Sequence, residues 1–272
     1  MANLFRGAGH AQLYNKYRPT YPRELYDIIL TYYKKRSDSY ETLVDLGCGS
    51  GQNTISFAPY FNRVIGLDTS KNQVKLARQN KESAAETLTN VEYYTGFAED
   101  LSRFAKASVD MITCAQSFHW FDVEKFYPEA KHVLKNGGVL AVFGYGNVKV
   151  ESPEPNKVIQ DFYNGTLKGY WDSRISHIDD HLEKFMPLPF ADFTRIDTLS
   201  IERQMSIDDF IGYLSTWSAY QSYLEKHTDS PILNKLLKRL CDLYGTDQPG
   251  YTIIHIWWPI FLLMGRNIQE QS

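Results

Sequence analysis

The stretch that most narrows what this chain can fold into is Asp45-Leu46-Gly47-Cys48-Gly49-Ser50-Gly51, which closes the short apolar run Thr42 to Leu46 and precedes a helix-compatible run from Gln52 to Pro59. Glycines at alternate positions allow a sharp turn and leave no Cβ between the main chain and a ligand. A strand, a glycine turn and a helix in that order open a parallel sheet wrapped by helices. The rhythm continues. Arg63 to Leu67 is a second strand ending at Asp68, Val91 to Thr95 a third, Val109 to Thr113 a fourth and Val139 to Tyr145 a fifth. Ser70 with Gln73 three residues on is a capping box that opens a helix to about Leu88, and Asp122 to Leu134 is an amphipathic helix stopped by Gly137-Gly138. The fold class is α/β, doubly wound.

After Gly146 the pattern changes, with Pro153, Pro155, Pro187 and Pro189 among short helical pieces, as for an insertion over the sheet. Thr194 to Gln204 is expected to return to the sheet as a strand, Ser206 with Asp208 and Asp209 to open a helix, and Pro231 to Tyr244 to form a basic amphipathic helix. Tyr251 to Trp258 is expected as the final buried strand.

Composition excludes several classes. A chain of 272 residues with 29 Lys and Arg against 32 Asp and Glu has a formal charge of -3, which offers no electrostatic footprint to a nucleic-acid backbone. Cys48, Cys114 and Cys241 are too widely spaced for a zinc ribbon and odd in number for a disulfide framework, so they read as reduced thiols. The run Tyr251 to Met264 is broken by His255 and Pro259 and falls short of the roughly 20 residues that cross a bilayer. Without a secretory signal before the fold, the expectation is a cytoplasmic protein, and the Asn164-Gly165-Thr166 sequon is expected to be unused. His177 and His181 share a helical face at i,i+4, but no third ligand is spaced nearby and no metal is expected.

The loop and its acidic partners point to a ligand. Asp68, ending the second strand, is placed where a carboxylate accepts from both hydroxyls of a ribose, so an adenosine-containing cofactor follows. A dinucleotide fingerprint is GxGxxG, whereas here the spacing is GxGxG, residue 52 is Gln, and Asp45 stands two residues before the first glycine. An acid there repels pyrophosphate and favours the ammonium end of S-adenosylmethionine, directly or through water.

On Asp45 to Gly51 and Asp68 the sequence resembles the class I S-adenosylmethionine-dependent methyltransferases across about residues 42 to 145. That resemblance implies a Rossmann-like seven-stranded sheet with the last strand antiparallel and an inserted cap. It divides a single domain into a cap segment 1–41, a cofactor-binding core 42–145, an inserted lid 146–192 and sheet-completing strands and helices 193–272. It also implies S-adenosylmethionine as cofactor and S-adenosylhomocysteine as product. Gly47, Gly49 and Gly51 would admit the methionine portion and Asp68 the ribose. Ala98 and Glu99, within Gly96-Phe97-Ala98-Glu99-Asp100, would contact the adenine, Tyr14 and Tyr21 would cover the cofactor from the N-terminal segment, and Gln116 would join the cofactor side.

Beyond the fourth strand, Ala115-Gln116-Ser117-Phe118-His119-Trp120-Phe121-Asp122 should stand between cofactor and acceptor. His119 is the candidate catalytic residue, to orient the acceptor or to serve as general base; alternatively His119 and Trp120 pack the loop. The Asn/Asp-Pro-Pro-aromatic motif of nucleobase amino methyltransferases is absent. A narrower resemblance, through Ala11 to Pro22, His119 to Asp122, Gly144-Tyr145, Tyr170-Trp171 with Arg174, and Thr216 to Tyr220, is to the trans-aconitate methyltransferases of fungi and their animal relatives. It implies methyl-ester formation on the carboxylate of a small acid. Recognition of such an anion calls for a fork-shaped cation, for which Arg18 and Arg174 are the candidates, with Trp120, Trp217 and Tyr220 as further acceptor contacts. The alternatives are an amine or phenol methyltransferase using His119 as base, a non-catalytic cofactor-binding regulator, and a nicotinamide oxidoreductase. A small-molecule acceptor is the expected partner, with no nucleic acid or membrane, in a monomer or homodimer.

Overall fold

The computed structural model describes Tyr17, residues 19–84 and residues 88–268. In chain order the elements are α1 (Arg23–Lys34), β1 (Thr42–Leu46), α2 (Gln52–Phe57), β2 (Arg63–Asp68), α3 (Lys71–Glu82), β3 (Val91–Thr95), β4 (Val109–Ala115), α4 (Val123–Val133), β5 (Leu134–Tyr145), β6 (Lys149–Val150), α5 (Pro153–Asp161), β7 (Ala191–Ile196), β8 (Ser200–Ser206), α6 (Ile207–Ser215), α7 (Ser218–Lys226), α8 (Ile232–Tyr244) and β9 (Ile253–Arg266). The described residues form two compact units, one of residues 21–84, 88–146, 177–199 and 260–268, the other of Tyr17 and residues 19–20, 147–176 and 200–259.

The first unit is the α/β body. Its strands run in the order β3-β2-β1-β4-β5-β9-β7, seven in all, with β1 to β5 parallel and the second half of β9 antiparallel to β5 and β7. This is the seven-stranded, Rossmann-like arrangement with an antiparallel last strand that the sequence led us to expect. Alternation within the strands divides the two faces. Val44, Leu46, Ile65, Leu67, Ile112, Cys114, Leu140 and Val142 turn to a core that includes Phe126, Ala130 and Val133 of α4.

Several boundaries differ from the sequence reading. The chain passes from α4 straight into β5 at Leu134, five residues earlier than expected: Gly137, at φ +85, sits within a strand whose pairing with β4 shifts register between Val109 and Met111. The glycine pair is an irregularity in the strand, not the stop signal of a helix. Helix α3 ends at Glu82, where the Ser83 hydroxyl bonds back to the Gln79 carbonyl, short of Leu88. The expected strand Thr194 to Gln204 is two strands, β7 and β8, and β9 runs on to Arg266 because its second half is buried between β5 and β7.

In the second unit β9's first half pairs with β6 on one edge and β8 on the other. Ser206 caps α6 by accepting from the Asp209 amide at 3.1 Å, and Leu233, Leu236 and Leu240 make the buried face of α8. No helix among the described residues is long and apolar enough to cross a membrane.

One buried cation ties the first unit together. Arg266, 1% exposed at the end of β9, donates to the Tyr32 carbonyl at 2.6 Å and the Gly137 carbonyl at 2.8 Å, and its guanidinium lies 4.8 Å from the Tyr32 ring centre. The Tyr32 carbonyl in the last turn of α1 thereby gains a donor that the helix itself does not supply. Replacing Arg266 with Met strands these acceptors, and urea denaturation should show a loss of about 3 kcal/mol. Arg266→Lys should recover less than half of it, since one ammonium cannot span both carbonyls.

Candidate active site

The glycine loop leaves β1 at the centre of the parallel strands, and each glycine is needed for a different reason. All three have positive φ, +67 at Gly47, +54 at Gly49 and +86 at Gly51. A Cβ at Gly47 would collide with the Ser117 side chain, and one at Gly51 with the Tyr93 ring, so these two are demanded by neighbouring protein. Among the described residues, a Cβ at Gly49 would meet no atom within 4 Å. The space above Gly49 is therefore open, as a cradle for a ligand approaching the backbone would be.

Two carboxylates organise the loop. Asp45 is fully buried and accepts from Asn53 Nδ2 at 2.7 Å, Thr54 Oγ1 at 2.7 Å and Thr113 Oγ1 at 2.8 Å, joining β1, the first turn of α2 and β4. Burial pushes its pKa up to about 6, although the three donors pull the other way. Asp68 takes the Gly49 amide on one oxygen at 2.9 Å and the Ser70 amide on the other at 2.8 Å. Burial raises its pKa, opposed by those two amides. Asp68, not Gln73, thus satisfies the Ser70 amide of the expected capping box, while the Ser70 hydroxyl accepts from the Gln73 amide at 3.4 Å.

The loop after β3 is pinned as well. The Gly96 amide donates to the Asp68 carbonyl at 3.1 Å, Ala98 is buried, and Glu99 accepts from the Asp122 amide at 2.8 Å at the start of α4. After β4, Gln116 adopts φ +51 and its carboxamide pairs with the Tyr145 backbone, donating to the carbonyl at 3.0 Å and accepting from the amide at 3.3 Å. The Ser117 hydroxyl donates to the Leu46 carbonyl at 2.7 Å, and the next residues form a helical turn, Phe118 to Trp120. His119 is buried there with its ring 4.6 Å from that of Trp120. Tyr21 packs edge-on against Phe143 at 5.0 Å.

Asp45, the three glycines, Asp68, Ala98, Glu99, Gln116, His119, Trp120 and Tyr21 therefore all belong to the α/β unit. Arg174, Trp217 and Tyr220 belong to the other unit. There the Arg174 guanidinium forks onto Asp172 at 2.9 and 2.7 Å and holds that acid's pKa at about 2. Trp217 is buried among Phe162, Tyr163, Trp171 and Tyr213, and Tyr220 is buried too. Tyr14 and Arg18 lie outside the described residues. Residues not singled out from sequence include Asn53, Thr54 and Thr113, which hold Asp45, and Ser117 and Tyr93, which fill the space beside Gly47 and Gly51. Their signal was small polar residues eight and nine positions after the acid and one at the matching register of β4, Asp45 to Thr113.

The arrangement fits the sulfonium nucleoside expected from the sequence. The open face of Gly49 gives room for it, and each Asp68 oxygen receives one backbone amide and keeps a lone pair for a sugar hydroxyl. Gly49→Ala should then retain a cooperative thermal transition, losing about 1–2 kcal/mol for the left-handed backbone. Calorimetry with S-adenosylhomocysteine should show at least a tenfold weaker Kd, from about 1.4 kcal/mol or more of lost binding. Asp45 gives a second prediction. Its folded-state pKa lies above the ordinary carboxylate value, so its contribution to stability is full below about pH 4 and is lost as pH rises through 6. Against Asp45→Asn, the wild type should lose about 1.4 kcal/mol per pH unit between pH 4 and 6 in urea unfolding.

Comparison with known proteins agrees. The methyltransferase domain family matches residues 44–142. A Dictyostelium discoideum protein bearing a methyltransferase name is 33% identical over 256 residues, covering 93% of this chain and 92% of its own. A Saccharomyces cerevisiae protein named as an S-adenosylmethionine-dependent methyltransferase is 25% identical over 285 residues, covering 93% and 94%. A solved structure from Anaeromyxobacter dehalogenans, described as a type II methyltransferase, superposes with a TM-score of 0.74 at 30% identity, covering 93% of this chain and 99% of that one. With the loop, its acidic partners and the sheet order in agreement, the chain belongs to the class I S-adenosylmethionine-dependent methyltransferases.

Proposed function

We propose that the acceptor is a small organic acid and that a carboxylate oxygen receives the methyl group, as in the trans-aconitate methyltransferases that the outer segments of the chain resemble. The cofactor of the family supplies an electrophilic methyl on a positively charged sulfur. A carboxylate is ionised at neutral pH and needs no proton removed, so the protein's part is to align it with the methyl and exclude water.

The observation that carries this reading is the commitment of the acids at the loop. Asp45 holds three side-chain donors, Asp68 two backbone amides and Glu99 the start of α4. Asp45 is enclosed by its three donors, Glu99 is engaged at α4 and the free lone pairs of Asp68 are taken by the cofactor's sugar, which leaves none of them to collect a proton from the acceptor. An acceptor that arrives already ionised suits such a site. His119, beside Trp120, then orients the acceptor. The same residue supports a second reading, an amine or phenol acceptor with His119 as general base, because its turn begins directly after the carboxyl end of β4. A small-molecule partner fits the net charge of -3, and a monomer or homodimer is the expected state.

Incubation with isotopically labelled methyl donor and a metabolite extract, followed by mild base, tests the reaction. The labelled product should release its label in base, as a methyl ester does; a base-stable product would remove the carboxylate reading. With the acceptor identified, His119→Ala should lower kcat by less than about tenfold, whereas a general base would cost ~10²-fold or more.

A further inference from the structure

Strand β4 loses its main-chain partners on both sides within a few residues, and two consecutive side chains take over where the backbone leaves. Its ladder with β1 ends at Thr113 opposite Asp45, and its ladder with β5 at Ala115 opposite Phe143. Gln116 makes the last main-chain bond, from its amide to the Phe143 carbonyl at 2.9 Å, and then turns away at φ +51. Its carboxamide stays behind to hold the carbonyl and the amide of Tyr145. The Ser117 hydroxyl reaches the other way, to the Leu46 carbonyl one residue beyond Asp45. An amide group on one side and a hydroxyl on the other thus continue the sheet after the backbone has left it.

The neighbours make room for this pair. A Cβ at Gly144 would collide with Gln116 Oε1, as one at Gly47 would with the Ser117 side chain. The Gly144-Tyr145 dipeptide singled out in the sequence has its use here, since Gly144 gives the carboxamide space and Tyr145 gives it two bonds. A left-handed backbone is costly for a residue with a Cβ, and such conformations persist where the surroundings impose them, most often beside functional sites. What the departure produces is the turn that carries His119. Phe118, which opens it, is 1% exposed among Phe121, Phe126, Tyr127 and Phe185. The turn is therefore gripped from β1, from β5 and by an aromatic cluster. In the order β3-β2-β1-β4-β5 the connections run outward in both directions from β1 and β4, so these strands flank the switch point at which open α/β sheets bind ligands. The bond from Ser117 to Leu46 spans that point. Leu46 immediately precedes the first loop glycine, so a single hydrogen bond joins the cofactor loop to the turn bearing His119.

We infer that Gln116 and Ser117 are positioning residues for methyl transfer: they set His119 against the glycine loop, and Gln116 acts in this way instead of touching the cofactor. This rests on the reading that His119 acts on the acceptor, and it holds whether His119 orients the acceptor or takes its proton. Gln116→Gly, which removes the carboxamide and relieves the left-handed backbone, and Ser117→Ala, which removes only the hydroxyl, are compared with His119→Ala and with each combined with it. Calorimetry with S-adenosylhomocysteine reads the cofactor side, and initial rates of label transfer over dilutions of the metabolite extract read the maximal rate and the apparent KM. Both single variants should bind S-adenosylhomocysteine within about threefold of wild type and lose about fivefold in maximal rate, as a misplaced reacting group does. In the His119→Ala background the same changes should cost less than about twofold further, because the residue they position is gone. With 5-fluorotryptophan incorporated, the Trp120 fluorine resonance, assigned by its loss in Trp120→Phe, should shift in both variants, while those of Trp171, Trp217, Trp257 and Trp258 in the other unit should not. A loss of S-adenosylhomocysteine affinity of about tenfold in Gln116→Gly would return Gln116 to the cofactor and overturn the inference. Wild-type rates in both single variants, or undiminished losses beside His119→Ala, would also overturn it. A wild-type rate in His119→Ala would remove His119 from the reaction and the inference with it. Because rates are compared on whichever acceptor takes the label, a base-stable product would remove the carboxylate reading alone.

Discussion

A carboxylate taken entirely out of water at the end of β1 is the constraint around which the site is built. Removing Asp45 from solvent is costly, and the structure offsets that cost with three side-chain donors from two places in the chain: Asn53 and Thr54 in the first turn of α2, and Thr113 opposite it on β4. Satisfying one acid therefore fixes where α2 leaves the loop and how β1 pairs with β4. The six residues between Asp45 and Gln52 must pass over this network, and they do so only with three residues at positive φ, where glycine alone is unstrained.

The second acid works from outside the first. Asp68 accepts the amide of Gly49 in the middle of the loop and that of Ser70 at the head of α3, so the loop is held from above as well as from below. The Gly96 amide continues the chain of contacts to the end of β3. The carboxyl ends of β1, β2 and β3 are thus one hydrogen-bonded assembly, and β4 and β5 are joined to each other by the Gln116 carboxamide on Tyr145.

The second unit is organised by a different interaction, aromatic packing. Trp258 donates its ring N–H to the Tyr213 hydroxyl at 2.8 Å, Tyr213 lies edge-on to Trp217, and Trp217 contacts Phe162, Tyr163 and Trp171. Of the residues that the sequence offered as acceptor contacts there, Trp217 is part of that core, Tyr220 is buried, and Arg174 is neutralised by Asp172. An aromatic or an arginine in a sequence shows what it is able to bind, not what it already touches, because the partner is supplied by residues distant in the chain.

What the sequence determined by itself was whatever is encoded in neighbours along the chain. The parallel strands follow from apolar runs at regular intervals, the glycine turn from Gly47, Gly49 and Gly51, and the helix start from Ser70. Each of these is decided by backbone conformations and bonds within about four residues. Tertiary structure decided the rest. The glycine pair at Gly137-Gly138 reads locally as a helix stop, yet lies inside a strand because pairing with β4 and β9 outweighs the local preference. Thr194 to Gln204 reads as one strand, yet its halves pair with different stretches of β9. Only the fold could place Asn53, Thr54 and Thr113 on the two oxygens of Asp45, since no local pattern records which donor a buried charge finds after the solvent has been excluded.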